Sequence, residues 1–256
     1  MILKQKNGIS FYQFPNFSGF SDIWHGVFTR NFGHSKGAFR SLNISFGVGD
    51  DDINVELNRK TISQCVSGKE IVYLKQVHGT EILTFPQSDR TAEKERERPY
   101  VADGMITDIP GKFLLTQVAD CQSVLMYDPV RRVVANVHSG WRGSIKNIIG
   151  RTIQTMKNKF SCTASHIIAG IGPSLGPCCA EFILYRNEIP SKFWTYKKGA
   201  DHFDFWSISR DQLCESGVVQ KNIYSSNVCT KCNTDAFFSY RGENTTGRFA
   251  AVIGLQ

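Results

Sequence analysis

Three short segments of this 256-residue chain each end an apolar run at a side chain that can bind a metal or act as a nucleophile. They are Gln76-Val77-His78-Gly79, Ala119-Asp120-Cys121 and Val137-His138-Ser139-Gly140. Strand ends that lead into glycine-containing turns are places where folds display functional side chains. Two histidines and one cysteine could form a three-ligand zinc site with an open fourth position. Cys121 and His138 could equally form a thiol–imidazole pair for nucleophilic catalysis, and the spacing alone does not distinguish the two.

An anion site is predicted beside the third segment. Gly140-Trp141-Arg142-Gly143 leads directly into a helix predicted to begin at Ser144. The free N–H groups of a helix N-terminus and a nearby guanidinium both favour a bound anion. The alternative is an exposed arginine at the start of a helix, with no ligand.

Two further pairs of cysteines carry weaker signals. Cys229-Thr230-Lys231-Cys232 has CxxC spacing, but no second CxxC and no histidine pair accompanies it, which favours two reduced cysteines over a zinc or redox site. Pro177-Cys178-Cys179 resembles half of a zinc-deaminase signature, but the upstream His-x-Glu that this signature requires is absent from the chain. The glycine-rich motifs of dinucleotide and NTP sites are absent as well.

The composition is that of a globular protein, with 41% hydrophobic and 21% charged residues. No stretch approaches the ~18 consecutive apolar residues of a membrane-spanning helix, and the N-terminus does not resemble a secretory signal. Eight cysteines without such a signal predict reduced thiols and a cytoplasmic location. The net charge of +7 is scattered, so it fits the handling of phosphate-bearing small molecules as well as it fits nucleic acid.

The elements that would position these residues can be predicted from periodicity. A helix is expected at 51–67 and another at 144–160, where six apolar residues form one stripe. Residues 1–20 are expected to form a strand and turn packed on the core, 25–50 mostly loop, and 86–99 a solvated loop or short surface helix. Further strands are predicted at 71–74, 112–119, 123–127, 133–138, 166–171 and 249–255. No linker divides the chain, so residues 1–256 are predicted to form a single α+β domain.

Many segments of the chain together resemble the laccase-domain, or multicopper polyphenol oxidase, family, whose members are now regarded as purine nucleoside phosphorylases. The matching segments are His25-Gly26-Val27-Phe28-Thr29-Arg30, Arg40-Ser41-Leu42-Asn43, Val48-Gly49-Asp50-Asp51, Asn58-Arg59, Gln76-Val77-His78-Gly79, Ala102-Asp103-Gly104, Ala119-Asp120-Cys121, His138-Ser139-Gly140-Trp141-Arg142-Gly143, Ile171-Gly172-Pro173, Cys178-Cys179, Phe237-Phe238-Ser239-Tyr240-Arg241 and Thr246-Gly247-Arg248. They occur in the family's order over nearly the whole chain. The resemblance implies mixed β-sheets in a layered sandwich flanked by helices.

The resemblance also implies a zinc ion held by His78, Cys121 and His138, in a pocket for purine nucleosides. Family members are associated with phosphorolysis of adenosine, inosine, guanosine and methylthioadenosine, and with adenosine deamination. The chain departs from the family at Ser139, where alanine is usual, and at Gln122-Ser123, where proline follows the cysteine. These departures lie beside the site and leave all three ligands in place.

Further roles are expected around these ligands. The candidate phosphate-binding residues are Arg40, Arg59 and Arg142. The candidate substrate-binding residues are Arg40, Asn43, Arg59 and Gln76, and the candidate catalytic residues are Cys121, His138, Asp120 and Arg142. Asp120 and Gln76 are candidates for orienting a ligand or handling a proton. The expected partners are purine nucleosides and phosphate, with neither nucleic acid nor a membrane, for a monomer or small homo-oligomer.

Three alternatives compete with the zinc enzyme. A four-copper oxidase needs roughly ten histidines, largely in His-x-His pairs, whereas this chain has six histidines and no such pair. A single copper ion at the three-ligand site is chemically allowed, and zinc is preferred. A cysteine hydrolase would use Cys121 as the thiolate and His138 as the base, as in bacterial toxin deamidases of similar fold or in family members linked to cell-wall precursor editing. A non-catalytic interaction protein is supported by the basic charge alone.

Overall fold

The computed structural model of the chain describes residues 1–67, 69–86 and 100–256. The surface segment predicted at 86–99 therefore lies outside the described residues except for Pro86. The strands are β1 Ile2–Lys6, β2 Ile9–Gln13, β3 Ile23–Phe28, β4 Glu70–Lys75, β5 Ile82–Phe85, β6 Tyr100–Val101, β7 Gly104–Thr107, β8 Lys112–Val118, β9 Gln122–Asp128, β10 Val133–Ser139, β11 Ile168–Ile171, β12 Lys197–Lys198, β13 His202–Phe203, β14 Ile223–Ser225 and β15 Phe249–Leu255. The helices are α1 Asp52–Cys65, α2 Trp141–Ile145, α3 Ile148–Phe160, α4 Tyr185–Glu188, α5 Phe205–Glu215 and α6 Tyr240–Glu243.

Two mixed sheets contain most of these strands. One has the order β1-β2-β3-β15-β8-β4-β6 and the other the order β14-β11-β9-β10-β7-β5, while β12 and β13 form a small separate ladder. Parallel pairs, such as β4 with β8 and β5 with β7, occur beside antiparallel pairs such as β9 with β10. Strands β9, β10 and β15 are buried along their whole length, as expected for apolar strands covered on both faces.

Three groups of buried side chains hold four layers together: α1, the first sheet, the second sheet, and the pair α3 and α5. Leu114, Leu125 and Ile253 belong to the core between the two sheets. On the outer face of the first sheet, Ile62 of α1 packs with Leu115 of β8. Helices α3 and α5 cover the outer face of the second sheet through residues such as Ile153, Met156 and Leu213. The predicted α+β sandwich flanked by helices is confirmed.

The helix predicted at 144–160 is wrong in one respect, because two helices occupy this region. Asn147 has a left-handed backbone (φ 56°), and its side chain accepts a hydrogen bond from the Gly150 N–H, so that α3 begins at Ile148. Asparagine tolerates this conformation better than most residues do. The apolar stripe continues across the break, so periodicity could not detect it. The short helix α2 that results carries Trp141 and Arg142.

The other expectations differ from the structure mainly at element ends. Helix α1 begins after Asp51, whose carboxylate accepts a hydrogen bond from the Ile53 N–H. The segment 25–50 is mostly loop, as predicted, but its first residues belong to β3. The strand predicted at 166–171 starts only at Ile168, after a 3₁₀ turn. Within the described residues, no helix is both long enough and apolar enough to cross a membrane.

Candidate metal centre and substrate cavity

The structure brings together His78, Cys121 and His138, the three residues that the sequence predicts as metal ligands. Their nitrogen and sulfur ligand atoms all lie within 4.8 Å of one another. The distance from Cys121 Sγ to His78 Nε2 is 3.7 Å, and the two imidazole rings are nearly perpendicular, with centroids 4.9 Å apart. His138 is buried whereas His78 is exposed, so the cluster lies at the edge of the core and is open to solvent on one side.

Strand pairing explains why three distant segments meet. His138 lies near the end of β10 and pairs with Ser123 of β9, so Cys121, just before β9, lies beside it. The connection that contains Cys121 crosses from β8 in the first sheet to β9 in the second. His78 follows β4, which pairs with β8 in the first sheet. The ligands therefore come from both sheets at one edge of the sandwich.

Asp103 holds two of the ligand segments together, a role that its place in the sequence does not indicate. Its carboxylate is fully buried and accepts hydrogen bonds from His138 Nδ1 (2.8 Å), from the His78 N–H (2.9 Å) and from the Gly79 N–H (2.6 Å). These bonds stabilise the left-handed backbone of His78 (φ 59°). An ionised carboxylate only accepts hydrogen bonds, so it favours the His138 tautomer with its proton on Nδ1 and leaves Nε2 free to bind a metal.

The charges within the cluster reinforce one another. Burial opposes ionisation of Asp103, but the hydrogen bonds from His138 and the backbone outweigh it and lower the pKa of Asp103. Burial also opposes the Cys121 thiolate, yet His138 and His78 lower the pKa of Cys121 to about 6. In return, the thiolate and Asp103 raise the pKa of His138 to about 9 against the effect of its burial. Without a metal, Cys121 and His138 therefore form a thiolate–imidazolium pair at neutral pH.

Gly140 allows the backbone to pack directly against two ligands. A Cβ atom at this position would lie 2.7 Å from His78 Cδ2 and 3.1 Å from Cys121 Sγ. Its φ of −73° is accessible to any residue, so the requirement for glycine is steric and does not come from the backbone conformation. The side chains of His78 and Cys121 thus have room to meet only because residue 140 has none.

A cavity of about 970 Å³ opens beside the three ligands, large enough for a nucleoside and an anion. Its lining combines aromatic rings with guanidinium groups. The aromatic residues are Phe46, Tyr73, Trp141, Phe182, Phe205 and Tyr240, and the arginines are Arg59, Arg142, Arg241 and Arg248. Such a lining offers stacking surfaces for a planar base and positive charge for an anion.

Aromatic rings contact the guanidinium groups of Arg59 and Arg142. Arg59 lies between Phe46 and Tyr73, with Cζ 4.3 and 4.2 Å from the ring centroids, and burial lowers its pKa. Arg142 stacks on Trp141 at 4.2 Å and is otherwise exposed. Within the described part of the chain, none of the four cavity arginines forms an ion pair with a carboxylate. The cavity therefore carries positive charge that an anionic ligand can neutralise.

Two residues expected to bind substrate lie elsewhere. Arg40 is exposed and is not among the described residues that line the cavity. Asn43 is fully buried, and its amide group bonds to Ser45, Asp50 and the Arg248 N–H. The structure thus uses the Asn43 side chain to position the segment that carries Arg248.

Asp120 lines the cavity, but neighbouring segments occupy its carboxylate. It accepts hydrogen bonds from Thr230 Oγ1 (2.6 Å), Ser239 Oγ (2.7 Å) and the Arg241 N–H (2.5 Å). Its own backbone is left-handed, with φ 86°. These contacts fix the residue that immediately precedes Cys121, which makes Asp120 a positioning residue for that ligand.

Gln76 and Gln122 also line the cavity, and their side-chain amides differ in hydrogen bonding. The amide of Gln76 is paired with the backbone N–H and C=O of Gln117, both at 2.8 Å. The Oε1 of Gln122 accepts a hydrogen bond from Ser209, but its buried Nε2 has no partner among the described residues. A buried amide donor without a partner suits a polar ligand. In the sequence, Gln122 stands out only as a departure from the family pattern.

The family model described as multi-copper polyphenol oxidoreductase laccase matches residues 24–256. The purine nucleoside phosphorylase YlmD of Geobacillus stearothermophilus is 33% identical over 243 residues, which cover 90% of this chain and 89% of that protein. The purine nucleoside phosphorylase YfiH of Escherichia coli K12 is 30% identical over 238 residues, covering 89% and 91%.

Solved structures agree with the sequence comparison. The crystal structure of YlmD from Geobacillus stearothermophilus superposes with a TM-score of 0.86 at 31% identity, covering 100% of this chain and 99% of that one. The crystal structure of the hypothetical protein YfiH from Bacillus licheniformis gives a TM-score of 0.83 at 29% identity, covering 91% and 93%. Both similarities therefore extend over at least nine-tenths of the chain.

Proposed function

The chain belongs to the multi-copper polyphenol oxidoreductase laccase family, and on that basis we propose that it is a zinc-dependent enzyme that cleaves purine nucleosides with phosphate. Its substrates would be adenosine, inosine, guanosine and methylthioadenosine, with adenosine deamination as a second activity of the same site. One observation carries the proposal: His78, Cys121 and His138 converge beside a cavity lined by aromatic rings and arginines without carboxylate partners.

The donor set fits zinc. One thiolate and two imidazoles are ligands that zinc prefers, and three protein ligands are typical of catalytic zinc sites. Asp103 supplies the carboxylate–histidine contact that commonly orients such a ligand. When bound, zinc would supply a Lewis acid at its open fourth position.

Phosphorolysis of a nucleoside requires the protein to hold phosphate against C1′ of the ribose while the purine departs from a cationic sugar. Arg142 and Arg59 are the proposed phosphate ligands, since a guanidinium can bind two oxygens of a tetrahedral anion at once. The aromatic rings of the cavity would stack on the purine. The unpartnered amide Nε2 of Gln122 is a candidate donor to the base or the ribose.

Replacing Arg142 with alanine should raise the apparent KM for phosphate by about tenfold to hundredfold, because a hydrogen bond to a charged group contributes about 1.5–3 kcal/mol. The KM for inosine and the thermal stability should change little, since Arg142 is exposed and contacts the ring of Trp141. Initial rates measured over a range of phosphate concentrations test this prediction.

Arg186→Ala is a matched control for that variant. Arg186 is likewise exposed and lies 5.9 Å over the ring of Tyr185, but it does not line the cavity. Its replacement should leave phosphate dependence unchanged. Equal phosphate KM values for the two variants would show that the anion binds elsewhere.

Incubation of the purified protein with inosine and phosphate tests the reaction itself. Hypoxanthine and ribose 1-phosphate should form in equal amounts, and both should disappear when phosphate is omitted. Ammonia release from adenosine tests the deamination separately. Formation of free ribose without phosphate would indicate a hydrolase and would contradict the proposed phosphorolysis.

The geometry also supports a second candidate, a cysteine hydrolase. In the metal-free chain the Cys121 thiolate faces His138, and Asp103 bonds to the other side of that imidazole. This arrangement is the one that cysteine nucleophiles require. The two candidates differ in whether Cys121 is bound to a metal during turnover, and its chemical reactivity distinguishes them.

A further inference from the structure

A second group of metal-binding side chains lies outside the cavity cluster. Cys178, Cys179, Cys229 and Cys232 bring their four Sγ atoms within 4.8 Å of one another. Cys232 Sγ lies 3.7 Å from Cys178 Sγ and 3.6 Å from Cys179 Sγ. All four cysteines are free thiols. The CxxC pair, which by itself predicts only reduced cysteines, is thus completed by a second pair about fifty positions earlier in the chain.

We propose that these four cysteines form a closed tetrahedral zinc site. With zinc–sulfur bonds of about 2.3 Å, neighbouring sulfurs in a tetrahedron are about 3.8 Å apart. The distances from Cys232 match that edge and are far longer than the ~2.05 Å of a disulfide bond. Four thiolate ligands are a common set for structural zinc, and they leave no position for a substrate.

The local backbone is arranged for such a site. A turn at 177–179, closed by the bond from the Cys179 N–H to the Gly176 carbonyl (2.9 Å), directs two adjacent cysteines to the same partner. The Gly176 N–H donates to Cys229 Sγ at 3.3 Å, and a Cβ atom on Gly176 would lie 3.1 Å from the Cys229 Cβ. N–H groups directed at sulfur stabilise thiolate ligands in metal sites.

The proposed zinc would link two irregular segments, those of Leu175 and Thr230, that form hydrogen bonds to Asp120. From the first segment, the Leu175 N–H donates to the Asp120 carbonyl at 2.8 Å. From the second, Thr230, which lies between Cys229 and Cys232, donates its hydroxyl to the Asp120 carboxylate at 2.6 Å. Zinc at the four cysteines would therefore stabilise the wall of the cavity beside Cys121. This inference does not depend on the reaction proposed above.

Zinc content, measured by elemental analysis of the full-length protein purified with reductant and without added metal, tests the second site. The wild-type chain should contain two zinc ions, and Cys121→Ala and Cys232→Ser should each contain one. The double variant should contain none. Cys214→Ser replaces a cysteine of neither cluster and should retain two.

X-ray absorption of the Cys121→Ala protein identifies the ligands, and it remains decisive even where Cys232→Ser fails to fold. Four sulfur atoms at about 2.3 Å from zinc are expected. Chelation should also lower the melting temperature of this variant. The proposal is overturned by a Cys121→Ala protein that contains no zinc and whose four cluster thiols all react with iodoacetamide. Disulfides among these cysteines in the reduced preparation, or nitrogen and oxygen ligands around the remaining zinc, would overturn it as well.

Discussion

Iodoacetamide should label Cys121 slowly while zinc is bound and at least about tenfold faster after chelation, and nucleoside cleavage should be lost on chelation. A zinc-bound thiolate shares its lone pairs with the metal, so its attack on an electrophile is suppressed. In the chelated protein, labelling should be half-maximal near pH 6, because the pKa of Cys121 is lowered to about 6. The thiolate fraction, and with it the labelling rate, rises as the pH increases through that value. Mass spectrometry of tryptic peptides measures the rate at each cysteine.

Cys214 provides the control within the same sample, since it belongs to neither cysteine-containing cluster. Its labelling rate should be the same with and without chelator. Rapid labelling of Cys121 in the zinc-loaded enzyme, together with a trapped covalent substrate adduct on its sulfur, would instead support the cysteine hydrolase.

Replacing Asp103 with asparagine should weaken zinc binding at the cavity cluster by about tenfold to hundredfold, the usual effect of losing the partner of a histidine ligand. The amide group has one acceptor oxygen in place of two and carries no charge. It cannot accept from His138 Nδ1 and from the His78 and Gly79 N–H groups as the carboxylate does. Turnover should fall in parallel and recover partly with excess zinc, which distinguishes a positioning residue from a group that reacts with substrate. Zinc titration against a competing chelator measures the affinity.

Asp128→Asn is a matched control. Asp128 is equally buried, and its carboxylate accepts from the N–H groups of Val130, Arg131 and Thr163 at the far end of β9. Both variants should lose about 1–3 kcal/mol of stability, since each leaves buried donors poorly satisfied. Only Asp103→Asn should lose zinc affinity. Equal zinc affinities in the two variants would contradict the role assigned to Asp103.

The three residues could be selected as candidates because each lies at or just after the end of an apolar strand, and the resemblance to the family implied that they share one metal. Their spacing alone left a thiol–imidazole pair equally open. Asp103 could not be assigned in this way. Its function consists of hydrogen bonds to backbone N–H groups at 77–79, and no spacing of residue types encodes such bonds. The resemblance to the family included Ala102-Asp103-Gly104, but a matching motif does not show what a carboxylate contacts.

Matching family motifs also did not show which arginines line the cavity. Arg59 and Arg142 line the cavity and Arg40 does not, although all three belong to segments that match the family. Arg248 and Arg241 also line it and could have been considered, since they lie in matching segments near the C-terminus. Arg40 and Arg248 lie in loops, which lack the periodicity that predicts strands and helices. Arg59, Arg142 and Arg241 lie in helices, but which of them face a cavity depends on how those helices pack.

The four-cysteine group also depends on tertiary structure. The chain between its two pairs forms α4, β12, β13, α5 and β14, and the pairs meet because Ser174 and Cys229 form a bridge between their segments. A sequence pattern that requires two nearby CxxC motifs does not detect a site assembled in this way.

The most direct test of a catalytic zinc at His78, Cys121 and His138 is phosphorolysis of inosine by chelated protein, measured before and after zinc is restored. The formation of ribose 1-phosphate should be abolished by chelation and restored by zinc in the wild-type chain. In His138→Ala it should stay absent at every zinc concentration, because one of the three ligands is missing. Full activity in the chelated wild-type protein, or zinc-restored activity in His138→Ala, would contradict the assignment of His78, Cys121 and His138 as the catalytic metal site.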